Sequence, residues 1–392
     1  MDVSKEALEL HKKLAGKIEM NVKKEVLSKE DLSLVYTPGV SAPCLEIADD
    51  NEKVYDYTWK GNSVAVITDG TAVLGMGNIG PEASLPVMEG KAALFKSFAN
   101  IDAVPIALDT QDMEEIIRTV KLLAPTFGGI NLEDISAPRC VEIERRLDEE
   151  LDIPVFHDDQ HGTAIVVLAA LINALKLAGK DKESIKVVIS GTGAAGSAII
   201  KILSAYGISN IVAFDQHGMV NKESNHLDEL QLELLNHLND DVVYKNLSEA
   251  MIGSDVFIGV SVANLLSIEM VKSMAPNAIV FAMANPNPEI SYDDAKKAGA
   301  LIVGTGRSDR PNQINNVLVF PGLFKGLLMS RSKRVPVELR VASAEIIASL
   351  TEPEAISSEH IITDVFDPNL VTKLSNGIVD VVEALRLEGY DL

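Results

Sequence analysis

Apolar and polar positions alternate in two rhythms along this chain. Short apolar runs bounded by turn residues recur at Ser63–Thr68 (SVAVIT), Ala103–Leu108 (AVPIAL), 127–135 and Pro154–Phe156, and read as buried strands. Between them, helical spacing of apolar residues predicts helices over Pro86–Lys96, 112–124 and 140–150. The rhythm continues with strands at Ile185–Ser190, Ile211–Phe214, Asp255–Ser261, Ala278–Ala284 and Leu301–Gly304. Strands alternating with helices imply α/β architecture with mostly parallel sheets. Residues 1–30 read as one or two helices with Leu8, Leu10, Leu14, Ile18 and Met20 roughly on one face, and 337–392 as a helical tail. The apolar run Ala164–Leu175 is interrupted by Asn173 and is too short to span a membrane, so it predicts a buried helix within Thr163–Ala178.

Two glycine patterns refine this picture. Gly191-Thr192-Gly193-Ala194-Ala195-Gly196 follows a predicted strand, opens the helix Ser197–Ala205, and precedes a strand ending at Asp215. That order is the dinucleotide-binding context: glycines admit a pyrophosphate and the helix N-terminus offers N–H groups to it. Asp215 favours NAD, because a carboxylate accepts from ribose hydroxyls and repels a 2′-phosphate. The second pattern, Gly75-Met76-Gly77-Asn78-Ile79-Gly80, is followed by Pro81, and the next helix is placed near Pro86. It reads as a tight loop shaping a pocket. Asn285, at the end of an apolar strand, is expected to face the nicotinamide or the substrate. The amide-rich loop with Asn315 and Asn316 suits a small polar ligand.

The stretch Val155-Phe156-His157-Asp158-Asp159-Gln160-His161-Gly162-Thr163 gathers acids and imidazoles at a strand end. Glu133 and Asp134 end the preceding strand. In parallel sheets ligands collect at carboxyl ends of strands. Hard oxygen donors with no cysteine nearby suit Mg²⁺ or Mn²⁺. Adjacent residues on an extended strand point to opposite faces, so Glu133 and Asp134 share one ion only if the chain leaves that form. Of Asp158 and Asp159, one is expected to bind the ion and the other to support it.

A length of 392 residues suggests two domains. Their expected bounds are 1–160 for a substrate and metal domain and 161–392 for a nucleotide-binding domain with C-terminal helices. The net charge of −22 argues against a nucleic-acid partner. Cys44 and Cys140 form no disulfide framework, and the charged N-terminus lacks an apolar signal core. A cytoplasmic enzyme or binding protein with no membrane attachment is the expectation.

Several motifs together carry a resemblance over essentially the whole chain: Tyr36-Thr37-Pro38-Gly39-Val40, Thr68-Asp69-Gly70, Pro86-Val87-Met88-Glu89-Gly90-Lys91, Asn131-Leu132-Glu133-Asp134, the acid–imidazole stretch, Gly191–Gly196 and Gln313-Ile314-Asn315-Asn316-Val317. The chain resembles a malic enzyme of the short microbial type. The resemblance implies a Rossmann-type second domain and oxidative decarboxylation of (S)-malate to pyruvate and CO₂, with NAD or NADP and Mg²⁺ or Mn²⁺. It implies metal ligands Glu133, Asp134 and Asp159, general base Lys91 and general acid Tyr36. It also places Asn285, Asn315 and Asn316 on the substrate, and implies a homodimer at least. Lys91 as base requires its pKa to fall from about 10.4 toward about 7–8, which burial and a nearby cation would favour. Asp158 is then expected to orient Lys91 or a metal-bound water.

One departure stands out. Large malic enzymes carry a substrate-binding arginine after Thr-Asp-Gly, where this chain reads Thr71-Ala72-Val73. The amide pair and a main-chain N–H near Gly77 are the expected substitutes, with Arg139 and Arg307 behind them. Two related activities share the motifs: a malolactic enzyme, which yields lactate, and a metal-dependent oxaloacetate decarboxylase. A cofactor-binding regulator with a dead site would have lost Tyr36, Lys91 or the carboxylates, and none is lost.

Overall fold

The computed structural model describes residues 3–239 and 241–392, so the first two residues of the N-terminal helical stretch lie outside it. Two parallel sheets organise the chain. The first has four strands, β1 (Ser63–Thr68), β2 (Asp102–Ala107), β3 (Gly129–Leu132) and β4 (Val155–His157), in the order β2-β1-β3-β4. All three pairings are parallel. β1 is buried along its whole length, as a β-rich apolar run covered on both faces must be.

The second sheet contains β5 (Val187–Ser190), β6 (Ile211–Asp215), β7 (Gly218–Met219), β8 (Val256–Gly259), β9 (Ile279–Ala282) and β10 (Ile302–Thr305), in the order β10-β9-β8-β5-β6-β7. Only the short edge strand β7 runs antiparallel. The direction of winding reverses between β8 and β5, and a ligand crevice forms at such a reversal. β5 runs into Gly191, and its loop opens the helix Ala194–Ala205.

The helix Thr163–Ala178 is apolar on nearly every side and buried, packing chiefly on the helices Ala194–Ala205 and Val337–Ser349, as its uniform hydrophobicity requires. With the preceding turn it is long and apolar enough to cross a membrane by length and composition, yet most of it is buried inside the fold. An aromatic group pins the junction. Phe95, from the helix Pro81–Ala99, lies 4.8 Å from Phe320 and 5.5 Å from Phe324 between ring centroids. Phe156 at the end of β4 completes the group, 6.0 Å from Phe324.

Two expectations shift. The helix expected near Pro86 begins at Pro81, directly after Gly80, so Pro86 lies inside it. Proline at the first helical position loses no hydrogen bond, which is why Pro81 starts the helix. The N-terminal stretch forms one helix, Val3–Leu14, and then irregular chain up to the helix Lys29–Val35. Its apolar side chains Leu8, Leu10, Leu14, Ile18 and Met20 are all exposed in the single chain.

Candidate active site

The helix Pro81–Ala99 buries Ser84, Met88, Lys91, Ala92 and Phe95, a single face at helical spacing. Lys91 belongs to that face, so its ammonium points inward. Nζ lies 2.8 Å from Glu133 Oε1 and 2.5 Å from Asp158 Oδ2, and 4.0 Å from the centre of the Phe320 ring. The ammonium is thus held by two buried acids and capped by an aromatic face.

The acids come from two strand ends. β3 stops at Leu132, and Asp134 takes a left-handed conformation with φ of 54°, which turns it back beside Glu133. After β4 the chain makes a single widened turn, Asp158–Gly162, before the helix Thr163–Ala178. Such i→i+5 turns recur at functional sites. This one separates its two acids: Asp158 meets Lys91, while Asp159 Oδ2 accepts from the Asp134 main-chain N–H at 2.8 Å. A Cβ on Gly162 would fall 1.9 Å from Asp158 Oδ1, so only glycine fits that turn.

Ligand atoms of Glu133, Asp134 and Asp159 all lie within 4.8 Å of one another. Asp134 Oδ2 is buried and has no hydrogen-bond donor. A buried acceptor without a donor needs an explanation, and a hard cation supplies it. Burial pushes Glu133 well above the ordinary carboxylate range and Asp134 up to about 8, and repulsion from Asp159 adds to both. The donor set therefore fits a divalent ion. Lys91 departs from the expectation. Burial lowers its pKa, but Asp158 and Glu133 outweigh burial and hold it above its ordinary value. Excess negative charge is the cause, and neutralising the acid trio with a divalent cation would remove much of it.

These groups open into a cavity of about 820 Å³. It is lined by Lys91, Glu133, Asp134 and Asp159 together with Ala194, Ala195, Asn285, Asn315 and Asn316. Asn316 Nδ2 donates to Asp158 Oδ2 at 3.1 Å, linking the amide loop to the residue that holds Lys91. Asn315 Oδ1 accepts from the Val317 N–H. A second cavity, of about 580 Å³, is lined by Gly191, Thr192, Gly193 and Asp215. Gly191 needs its positive φ of 105°, and a Cβ on Gly196 would strike Gly191 O at 1.9 Å. Gly196 therefore packs the helix onto the loop and lines neither cavity. The two cavities follow the crevice a dinucleotide would occupy.

Comparison with known proteins agrees with this geometry. Residues 15–148 match the family model for the malic enzyme N-terminal domain, and residues 160–382 that for the malic enzyme NAD-binding domain. The chain belongs to the malic enzyme family. A bifunctional malic/malolactic enzyme of Bacillus subtilis is 56% identical over 96% of this chain and 92% of its own length. An NAD-dependent malic enzyme of Geobacillus stearothermophilus is 53% identical over 94% of this chain and 77% of its own. The crystal structure of the NAD-dependent malic enzyme from Thermotoga maritima superposes with a TM-score of 0.92 at 49% identity, covering 95% of this chain and 98% of that one. The protein is accordingly an NAD(P)-dependent oxidoreductase of the malic enzyme type.

Three residues that the sequence of this malic enzyme marks as site candidates stand outside the cavity in the single chain. Tyr36 does not line the cavity: it caps the helix Lys29–Val35 and is 66% exposed. Its segment packs on little else in the single chain. Arg139 is committed to Asp69 at 2.8 Å and to Ser136 and Gln111, and Arg307 forks onto Asp309 at 2.8 and 2.9 Å. Neither lines the cavity. Other contributors escaped sequence reasoning. Glu144, buried in the helix Arg139–Glu150, accepts from the His157 N–H at 2.8 Å, Gln160 Nε2 at 3.1 Å and His161 Nε2 at 2.8 Å. Arg340 donates to His161 Nδ1 at 2.9 Å. This group clamps the acidic turn from beneath, so His161 has a packing role. Burial and then Arg340 push His161 down to about 4; burial would raise Glu144, but His161 and Arg340 bring it down to about 2. Gln231 Nε2 donates to Asp215 Oδ2 at 2.9 Å. The Asp228–Gln231 capping box was its sequence signal.

Proposed function

We propose that this enzyme oxidatively decarboxylates (S)-malate to pyruvate and CO₂, with NAD preferred over NADP and Mg²⁺ or Mn²⁺ required. The observation that carries this reading is the buried Lys91 ammonium, held between Glu133 and Asp158 where the acid trio faces the glycine loop. Glu133, Asp134 and Asp159 would hold the metal, which when bound supplies Lewis-acid polarisation and charge stabilisation. The Gly191–Gly196 loop and Asp215 would hold the nicotinamide cofactor, which supplies the hydride acceptor. Asp215 Oδ1 accepts the His217 and Gly218 N–H groups, so its carboxylate is fixed toward the nucleotide cavity, where a 2′-phosphate would meet like charge.

Lys91, once neutral, takes the C2 hydroxyl proton as hydride leaves C2. Asp158 holds its Nζ, and Asn316 holds Asp158. Asn285 and Asn315, which line the same cavity, orient the substrate. After CO₂ leaves, C3 needs a proton, and Tyr36 is assigned as its source. The exposed apolar segment that carries Tyr36 supports a homodimer, because docking of that segment against a second copy would cover it and complete the site. Free thiols at Cys44 and Cys140 fit a cytoplasmic, reducing setting.

A steady-state assay of purified enzyme with (S)-malate, NAD or NADP, and Mn²⁺, quantifying pyruvate and NADH together, tests the reading. Equal molar yields of pyruvate and NADH, larger with NAD, are expected. Lactate without NADH would favour malolactic conversion, the second activity in the name of the Bacillus subtilis relative.

A further inference from the structure

We propose that Lys17 is the cation that receives the distal carboxylate of malate; this rests on the reaction proposed above. Malate carries two carboxylates. The one beside the reacting hydroxyl belongs with the acid trio and Lys91, which leaves the far one without a cation. Ala72 in the cavity wall carries no charge, and Arg139 and Arg307 are engaged elsewhere. Among the cavity-lining residues only Lys17 and Lys91 carry positive charge.

Lys91 is neutralised by its two acids, and Lys17 is not. Its ammonium donates to the Pro86 carbonyl and contacts His11 Nε2 at 2.9 Å, both neutral acceptors. The nearby Glu89 carboxylate accepts the Lys17 main-chain N–H at 2.9 Å instead. Among the described residues no carboxylate lies within ion-pair distance of Lys17 Nζ. An ammonium has three donors, so one remains for a ligand. The placement also fits. Pro86 and Gly90 lie on the helix that carries Lys91, and Lys17 Nζ is 3.5 Å from where a Gly90 Cβ would stand. The free cation therefore sits beside the turn preceding Lys91, on the wall of the same cavity. Such an arrangement selects a dicarboxylate over a monocarboxylate.

The test compares the unsubstituted enzyme with Lys17→Ala and Lys17→Arg, measuring KM and kcat for malate and the inhibition constant of pyruvate, which lacks the distal carboxylate. A charge-assisted hydrogen bond to a carboxylate corresponds to about a 10- to 100-fold rise in KM on its loss. Lys17→Ala should show that rise with no fall in kcat beyond about threefold, because the clamped carboxylate leaves as neutral CO₂ and its cation contributes binding without favouring that step. Lys17→Arg should stay within about threefold of the parent in KM, since the cation is kept. The pyruvate constant should not move in either variant. An unchanged malate KM in Lys17→Ala overturns the assignment. So does a parallel rise for malate and pyruvate, which would mark general damage to the site. No malate-dependent NADH formation in the unsubstituted enzyme would overturn the reaction itself, and the clamp with it.

Discussion

Replacing Glu144 by alanine should loosen the acidic turn from beneath without touching the reacting groups. The carboxylate accepts three hydrogen bonds, from the His157 N–H, Gln160 and His161, and His161 links it to Arg340. Removing one partner of a buried charged network costs about 3–5 kcal/mol. The lower figure applies, because Arg340 keeps some contact with solvent. An unfolding entropy of about 2.1 cal/mol/K per residue over 392 residues gives about 0.8 kcal/mol per degree, so a loss of about 3 kcal/mol lowers Tm by about 4 °C. The pH dependence supplies a second check. Glu144 is depressed to about 2 in the folded state, from an ordinary value of 4.5. Its contribution is therefore full above pH 4.5 and is lost as pH falls toward 2. The gap between parent and variant should be constant from neutrality down to about pH 4.5 and then close. Thermal and denaturant unfolding across that range measure it. Pairing Glu144→Ala with Arg340→Met should regain part of the loss, because the uncompensated cation is gone. A Tm change under about 1 °C, or a double variant no more stable than the single, would refute the clamp.

The remaining predictions concern the site itself. Lys91→Ala should lower malate oxidation by at least about 100-fold while NADH binding, followed by fluorescence, stays near parental; substantial residual turnover would remove Lys91 from the base role. Asp215→Ala should raise the ratio of kcat/KM for NADP over NAD by about tenfold, since the repelling carboxylate is gone; an unchanged ratio would make Asp215 structural. Mn²⁺ at about 100 times its Kd should stabilise the parent by about 2.7 kcal/mol, near 3 °C in Tm, and Asp159→Asn should abolish most of that gain. An equal gain in both proteins would place the ion elsewhere.

Much of the fold was legible because its strands are buried on both faces and therefore read as unbroken apolar runs. The nucleotide loop was legible because its glycines sit between a strand and a helix, where the loop at 75–80 had no such setting. The acids were visible as pairs at strand ends, although only the left-handed Asp134 and the widened turn at 158–162 explain how they converge. What stayed hidden depends on contacts distant in sequence. Glu144 and Arg340 lie on separate helices and meet through His161, and neither helix marks them as special. Lys17 reaches the cavity from a segment that is irregular where its apolar spacing reads as helix. The exposure of Tyr36 follows from a segment left largely uncovered in one chain, which no local pattern encodes.

The aromatic group at Phe95, Phe156, Phe320 and Phe324 has a consequence for dissecting the gene. The first two rings precede residue 160 and the last two follow residue 300, yet each early ring lies within 6.0 Å of a late one. A polypeptide ending after β4 would leave Phe95, Phe156 and Met88 facing water, and the complementary piece would leave Phe320 and Phe324 without the rings they pack on. Each fragment keeps one core of its own but loses part of the shared one. Expressed separately they should be insoluble or poorly folded, and expressed together they should recombine around the shared rings. Malate oxidation restored by two co-expressed fragments would then report the assembly of that interior.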